Sequence, residues 1–400
     1  MEAKFVRILY LVCALALVVA SRFCTPMVIG IAGVVLSLVM YLIGKTRYFA
    51  IGVAILSVLT AINFMPSLAL LAPLMMILLG EGLRVLFRNA GHEMIFFGLG
   101  SVVALVFVMF YTGTFDPLIC AIALLALLLL RSILKSRDDG SLLSLIGVAM
   151  VIFLFLELDF PVDIWIFVFA LLLCAAFGYF AYKARTIDLS GVFSAVLFGI
   201  LLITFTRSIS WFLAVMAFFI VGSLFTKFKY TKKTELGVAQ SKGGKRGYMN
   251  AFANAGVGVV ASILFGVTGN PIFAALFLGS IATATGDTLA SEIGVIGKNP
   301  RMITTMKPCK AGQNGGVSIL GELACLAGAL LIGIIGFVAG IASLPVCLIA
   351  VFAGFIGTNL DSLIGALFEN RGWIGNAGTN LIATLLGGLV ALGLCVLLGL

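Results

Sequence analysis

Residues 377–399 read AGTNLIATLLGGLVALGLCVLLG, a run without a single charged side chain. A run of this length can cross the hydrocarbon core of a bilayer as a helix. Its apolar residues do not alternate with polar ones at a period of two, which is the pattern of a membrane β-strand. Backbone N–H and C=O groups inside a bilayer must bond within the protein, so we expect a transmembrane α-helix here.

The composition extends this expectation to the whole chain. Hydrophobic residues make up 62% of the sequence and charged residues 10%, which leaves too little polar surface to cover a soluble globule. Apolar runs of similar length recur throughout and predict about fifteen transmembrane helices. The predicted fold class is therefore an all-α, polytopic integral membrane protein, and we expect it in the cell membrane of a prokaryote.

The basic residues predict how the chain is oriented. If the N-terminus is cytoplasmic, every Lys and Arg except Arg22 and Arg207 falls at the inner side of the membrane. This separation predicts an N-terminus inside and a C-terminus outside. The net charge of +9 follows from the same rule, so no nucleic-acid partner is needed to explain it.

Histidine and cysteine offer little chemistry. The single histidine, His92, lies in a short charged loop, which argues against a histidine-based metal site or catalytic triad. The eight cysteines are scattered without a CxxC pair and are typical of small core residues.

Polar residues change their distribution near residue 185, where we place a domain boundary. In residues 1–185, with about eight predicted helices, acidic residues occur in loops or at helix ends. A scaffold, a wall facing lipid and a partner surface all remain open for this region. In residues 186–400, with about seven predicted helices, polar residues collect at the predicted cytoplasmic ends of apolar runs. This second region is the candidate catalytic domain.

The first polar segment is the basic loop 241–247, SKGGKRG, which leads into an apolar helix. Glycine-rich backbone can form an anion-binding nest, and cations beside a helix N-terminus favour phosphate. Asn250 and Asn254 share one face of the helix that follows. A solvated positive-inside loop is the alternative, but it does not explain asparagines within an apolar run. The candidate phosphate ligands of this segment are Lys242, Lys245, Arg246, Asn250 and Asn254.

The second segment is 286–294, GDTLASEIG, at the end of an apolar run. Asp287 shares a helical face with Thr283 and Ser291, whereas Glu292 is offset from it. An ionised carboxylate at this depth needs a cation, a metal or water. Magnesium bound to substrate phosphates would provide one, and a purely structural Asp-Arg pair is the alternative.

The third and fourth segments bring further polar residues to the same side of the membrane. Four cations precede an Asn-Gly-Gly turn at the start of a helix, an arrangement that would stabilise phosphate oxygens. Glu322 follows Ser318 by one helical turn. The candidates of the third segment are Lys298, Arg301, Lys307, Lys310, Asn314, Ser318 and Glu322, and those of the fourth are Asn359, Asp361, Asn376 and Asn380.

In these segments the sequence resembles the DUF92 family of membrane proteins, which includes a plant phytyl-phosphate kinase. The resemblance covers roughly residues 188–400 and rests on motifs in a fixed order: Asn250 and Asn254, 286–294, RMITT at 301–305, NGGVS at 314–318, and DSLIGA at 361–366. The sequence is also similar to dolichol and phytol kinases, and more distantly to lipid cytidylyltransferases. The resemblance implies transfer of a phosphoryl group from a nucleoside triphosphate, CTP or another, to an isoprenyl monophosphate.

We therefore expect a membrane-embedded isoprenyl-phosphate kinase whose site faces the cytoplasm. Asp287, Glu292 and Asp361 are the expected magnesium ligands, and Glu322 is a further catalytic or orienting group. A transporter or flippase for an anionic substrate is the alternative from another class, although the outer loops after residue 185 carry only Arg207 as a charge. A CTP-dependent lipid cytidylyltransferase is the alternative among enzymes.

Overall fold

The computed structural model describes residues 2–43, 47–88, 92–235, 237 and 245–400, and these residues are almost entirely helical. The first helices are α1 (Glu2–Ala20), α2 (Pro26–Ile43), α3 (Arg47–Ala61), α4 (Ser67–Leu86), α5 (Glu93–Thr112), α6 (Pro117–Ile133), α7 (Gly140–Leu158) and α8 (Ile164–Lys183). They are followed by α9 (Leu189–Thr206), α10 (Ile209–Lys227), α11 (Tyr230–Glu235), α12 (Tyr248–Thr268), α13 (Ile272–Gly294), α14 (Ile319–Val338), α15 (Leu344–Leu367) and α16 (Asn376–Leu398).

The helices have the lengths and composition that a bilayer requires. Within the described residues, twelve are long and apolar enough to cross a membrane, and three shorter apolar helices lie within α1, α3 and α6. The prediction of an all-α, polytopic membrane protein is confirmed. The orientation of the two termini stays a prediction.

The chain forms two compact units, 1–162 and 163–400. The boundary that we expected near residue 185 falls just after α8, a helix that packs against α9 within the second unit. The domain ranges 1–185 and 186–400 stay a prediction. In the first unit the acid Glu81 is held at the end of α4 by ion pairs with Arg84 and Arg131.

Helix α13 is the centre of the second unit. It contacts α10, α12, α14, α15 and α16, and 83% of the residues in its apolar window are buried. Small residues permit this close packing. Gly357 of α15 and Gly387 of α16 lie directly against the side chain of Thr283, where a methyl group would not fit. The carboxylates and asparagines of the candidate site therefore project from helices with tightly interlocked backbones.

A short β-hairpin connects α13 to α14. Strand β1 (Arg301–Met302) pairs antiparallel with strand β2 (Gly316–Val317). The sequence pattern predicted a loop with a Gly-Gly turn here, and the strands were not predicted.

Candidate functional site

Two acidic side chains face each other at the centre of the site. Asp287 comes from α13 and Asp361 from α15, and their carboxyl groups lie close enough to interact directly. Asp361 Oδ1 is buried and has no hydrogen-bond partner among the described residues. Glu369, in the 3-10 turn after α15, is close enough to act electrostatically on both. Ionised carboxylates this close repel each other, so the pair needs a shared proton or a cation.

Amide and hydroxyl groups hold the neighbouring acids. Glu322 Oε2, on α14, accepts a hydrogen bond of 3.1 Å from Asn359 Nδ2. Glu369 Oε2 accepts one of 3.2 Å from the hydroxyl of Thr379, in the first turn of α16. The ends of α13, α14, α15 and α16 thus come together, as the sequence predicted for the third and fourth segments.

The facing pair of carboxylates is the arrangement in this site that would suit a magnesium ion. Among the described residues no three His, Cys, Asp or Glu side chains are grouped so that they could hold a metal ion. Magnesium in phosphoryl-transfer sites is commonly bound by one or two carboxylates, while water and substrate phosphates complete its shell. Asp287 and Asp361, with a buried oxygen that lacks a partner, suit that type of site.

The hairpin is anchored beside this pair. Gly315 has a φ of +83° and lies against the Cβ of Ala366, and a Cβ at Gly315 would be 3.0 Å from the carbonyl oxygen of Ser362. Asn370 Nδ2 donates to the carbonyl of Asn314 over 3.0 Å. The turn therefore contacts α15 directly after Asp361. This close approach explains why glycine stands at 315.

The cations of the hairpin are exposed, as is Asn314. Arg301 Nη1 donates to the carbonyl of Met306 over 2.9 Å, which stabilises the turn between them. Ser318, by contrast, is buried and caps α14, since it accepts from the amide of Gly321 and donates to the carbonyl of Gly294. The exposed cations are Lys298, Arg301, Lys307 and Lys310.

Glu292 is placed apart from the acid pair. Five residues separate it from Asp287, a rotation of ~140° around the helix. It forms a buried ion pair with Lys233 at 2.5 Å, and its other oxygen accepts from Thr226 at 3.0 Å. Lys233, only 1% exposed, also donates to the carbonyl of Phe225. A partner for this acid was predicted, but Lys233, which lies 59 residues earlier in the chain, was not identified as that partner.

The asparagines of the first and fourth segments form a row between α12 and α16. Asn254 Nδ2 donates to the carbonyl of Asn250 over 3.0 Å, and Asn380 Nδ2 donates to Asn254 Oδ1 over 3.3 Å. Asn254 and Asn380 are buried, whereas Asn376 is exposed at the start of α16. Asn380 follows Thr379, whose hydroxyl bonds Glu369.

The two described basic residues before α12 differ in their exposure to solvent. Lys245 is exposed, whereas Arg246 is only 5% exposed and lies 5.4 Å from the ring centroid of Phe218. Burial lowers the pKa of Arg246 to about 10, against the attraction of Glu292, so the guanidinium remains charged at neutral pH. Lys242 lies outside the described residues.

Comparisons with known proteins agree with this arrangement of motifs. The model of a family described as integral membrane protein DUF92 matches residues 172–388, more than half of the chain. An uncharacterized membrane protein of Synechocystis is 36% identical over 46% of this chain and 73% of its own length. One of Methanocaldococcus jannaschii is 34% identical over 52% of this chain and 85% of its own length. Protein VTE6, chloroplastic, of Arabidopsis thaliana is 32% identical over 51% of this chain and 63% of its own length. No solved structure matches significantly.

Proposed function

The chain belongs to the DUF92 family of integral membrane proteins, as its motifs predicted, and on that basis we propose that it is an isoprenyl-phosphate kinase. The bond between the β,γ-bridging oxygen and the γ-phosphorus of a nucleoside triphosphate breaks. A new bond forms between that phosphorus and an oxygen of the lipid monophosphate. The products are a nucleoside diphosphate and an isoprenyl diphosphate.

One observation carries the proposal: the facing carboxyl groups of Asp287 and Asp361, beside a hairpin rich in cations. Phosphoryl transfer depends mainly on positioning and charge neutralisation. The acceptor phosphate is already ionised, so the reaction needs no general base. An acid pair that requires a cation, next to exposed basic side chains, suits this chemistry.

Each group has a proposed role. Asp287 and Asp361 would hold magnesium, which neutralises charge on the transferring phosphoryl group. Glu322 would orient Asn359 at the edge of the site, since the two side chains are hydrogen-bonded. Glu292 as a magnesium ligand stays a prediction, because its described contacts are with Lys233 and Thr226.

The four exposed cations of the hairpin are the proposed ligands of the nucleotide phosphates, together with Asn314. The anchoring of the turn on α15 supports this role, because it keeps the hairpin next to Asp361. The cytoplasm supplies nucleoside triphosphates, so we propose that this side of the second unit is cytoplasmic.

Nucleotide binding by purified protein at fixed magnesium tests the proposal. We expect Lys307→Gln to raise the nucleotide dissociation constant roughly tenfold to a hundredfold, through loss of a charge-assisted contact. Lys227→Gln, which removes an exposed cation at the end of α10, is the matched control and should bind like the wild type. Wild-type protein that binds no nucleotide in a magnesium-dependent manner would contradict the kinase assignment and favour a transporter or flippase.

The position of a radioactive label in the nucleotide distinguishes a kinase from a cytidylyltransferase. With nucleotide labelled at the γ-phosphate, a kinase transfers the label to the lipid. With nucleotide labelled at the α-phosphate, only a cytidylyltransferase does so. We expect lipid labelling from the γ-position alone.

A further inference from the structure

Helices α8, α9, α10 and α12 line a cavity of about 70 Å³ with almost entirely apolar walls. A single water needs about 10–15 Å³ by the same measure, so the space admits several water-sized groups. The aromatic side chains that line it are Phe177, Phe198, Phe212, Phe218 and Phe219. Such walls suit the hydrocarbon part of a ligand.

One charged side chain, Arg246, also lines this cavity. Its Nε and Nη1 atoms are buried and have no hydrogen-bond partner among the described residues. A buried guanidinium with unmade hydrogen bonds is unfavourable unless an anion satisfies it. Glu292 attracts it electrostatically, but Glu292 is already bonded to Lys233 and Thr226. The guanidinium therefore retains N–H groups for a further anion.

The backbone around Arg246 keeps it at this position. Its amide donates to the carbonyl of Thr186 over 3.0 Å, and its carbonyl accepts from Asp188 over 3.1 Å. Gly222 of α10 makes room for the side chain, since a Cβ there would lie 2.5 Å from Nη2. These contacts hold a cation inside the fold.

The N-terminus of α12 opens onto the same space. Its N-cap Gly247 and the first-turn residues Asn250 and Ala251 line the cavity beside Arg246. The positive end of a helix dipole adds to the guanidinium and favours an anion at this end. The cavity thus combines a positively charged end with an apolar wall.

We propose that this cavity binds the phosphate of the acceptor lipid on Arg246 and the adjoining part of its chain between the phenylalanines. The inference rests on the proposed function for the identity of the lipid. The row from Asn250 through Asn254 to Asn380 connects this cavity with the side of the unit that carries the acid pair.

Direct binding to the purified full chain in nanodiscs tests the anion-binding end. The probes are phytyl monophosphate, phytol and inorganic phosphate. We expect Arg246→Gln to raise the dissociation constant of phytyl monophosphate roughly tenfold to a hundredfold, with that of the nucleotide unchanged. Phytol and inorganic phosphate should each bind more weakly than phytyl monophosphate, because each provides only half of the contacts. Lys227→Gln is the control and should bind all probes like the wild type.

Filling the cavity tests its apolar wall. Ala251→Leu adds a side chain that competes with the lipid chain, so it should weaken phytyl monophosphate binding and leave nucleotide binding unchanged. Gly256→Leu, on the same helix where a Cβ meets nothing within 4 Å, is the matched control. The unfolding temperature of each variant without lipid shows that it is folded.

The inference is wrong if Arg246→Gln or Ala251→Leu protein is folded and binds phytyl monophosphate like the wild type. It is also wrong if inorganic phosphate binds as tightly as phytyl monophosphate. Failure of the kinase assignment gives a different result, in which phytyl monophosphate binds through Arg246 but no nucleotide yields a lipid diphosphate. If the Arg246→Gln variant turns over normally, the kinase assignment stands and the proposed role of this cavity is wrong.

Discussion

Asp287 and Asp361 bring two carboxyl groups into contact in an environment with little water, where like charges interact strongly. Such a pair is tolerated where a proton or a cation compensates the repulsion. Loss of one carboxylate should therefore lower the activity of the protein without lowering its stability.

We expect Asp287→Asn to reduce lipid diphosphate formation by roughly a thousandfold or more, because it removes a proposed metal ligand. The same change should leave the unfolding temperature without magnesium unchanged or raised, since the repulsion disappears. Activity assays and thermal unfolding in detergent measure the two effects. Glu157→Gln, which removes an exposed carboxylate, is the control and should change neither. Near-normal turnover of Asp287→Asn would refute the role of this residue.

Lys233 and Glu292 give a second prediction at this scale. Neutralising one partner leaves the other charge buried, so Lys233→Met or Glu292→Gln alone should lower the free energy of unfolding by about 3–5 kcal/mol. The double variant should recover most of that loss. Equilibrium unfolding of all four proteins closes the thermodynamic cycle. Additive effects would show that the pair is not coupled, and full turnover of the double variant would exclude Glu292 as a magnesium ligand.

Individual site residues were predictable where a charged side chain lies within an apolar segment, because a charge is unfavourable in lipid. Asp287, Asp361 and Glu322 were singled out because acids in apolar runs demand a compensating partner. Asn359 bonds Glu322, whereas Asp287 and Asp361 lie beside each other, and their roles stay a prediction. The identities of those partners were not predictable. Lys233 lies in a cluster of cations that the positive-inside rule already explains, so nothing in the sequence marks it as buried.

The β-hairpin between α13 and α14 is the element whose position matters most for the proposed reaction. The turn at Gly315 and the bond from Asn370 to the carbonyl of Asn314 attach it to α15. A change in the turn should therefore weaken nucleotide binding more than it lowers the stability of the helices.

Replacing Gly315 with Ala should displace the hairpin from α15 and raise the nucleotide dissociation constant about tenfold, the loss expected from one misplaced charge-assisted contact. The new methyl group would collide with Ala366, and alanine disfavours a φ of +83°. The control is Gly340→Ala, which introduces the same backbone strain at a φ of +69° in open space. Nucleotide binding is measured by titration. Equal dissociation constants for the two variants would show that the position of the hairpin does not affect nucleotide binding.

At this scale the apolar runs predicted the long helices, because lipid imposes one solution on a continuous hydrophobic segment. Helix α11 and the hairpin were missed. Helix α11 is the six-residue, polar segment Tyr230–Glu235, and the hairpin is held by contacts with α15 that no local pattern records.

For the molecule as a whole, the orientation in the membrane decides which compartment supplies the nucleotide. In a cysteine-free background, Glu235→Cys should react with a membrane-impermeant maleimide only after the cells are opened, because it is exposed at the end of α11, in the cation-rich segment between α10 and α12. Ser343→Cys, exposed between α14 and α15, should react in intact cells. Labelling of position 235 from outside would overturn the orientation and the cytoplasmic site with it.

Composition was sufficient to assign the class of the whole molecule, since so apolar a chain is stable only in lipid. The central position of α13 was not predictable from it. That helix carries more hydroxyl and small residues than its neighbours, a composition that fits close helix contacts as well as it fits a polar channel.

The interlocking of Thr283 with Gly357 and Gly387 also sets a mechanical limit on the second unit. Helices that fit together this closely cannot slide past each other by a residue unless they first separate. Shear along α13 is therefore blocked, and α13, α15 and α16 must move as one block. Any opening of the space around Asp361 is then expected from the hairpin, which is attached to α15 through the turn at Gly315 and the amide of Asn370.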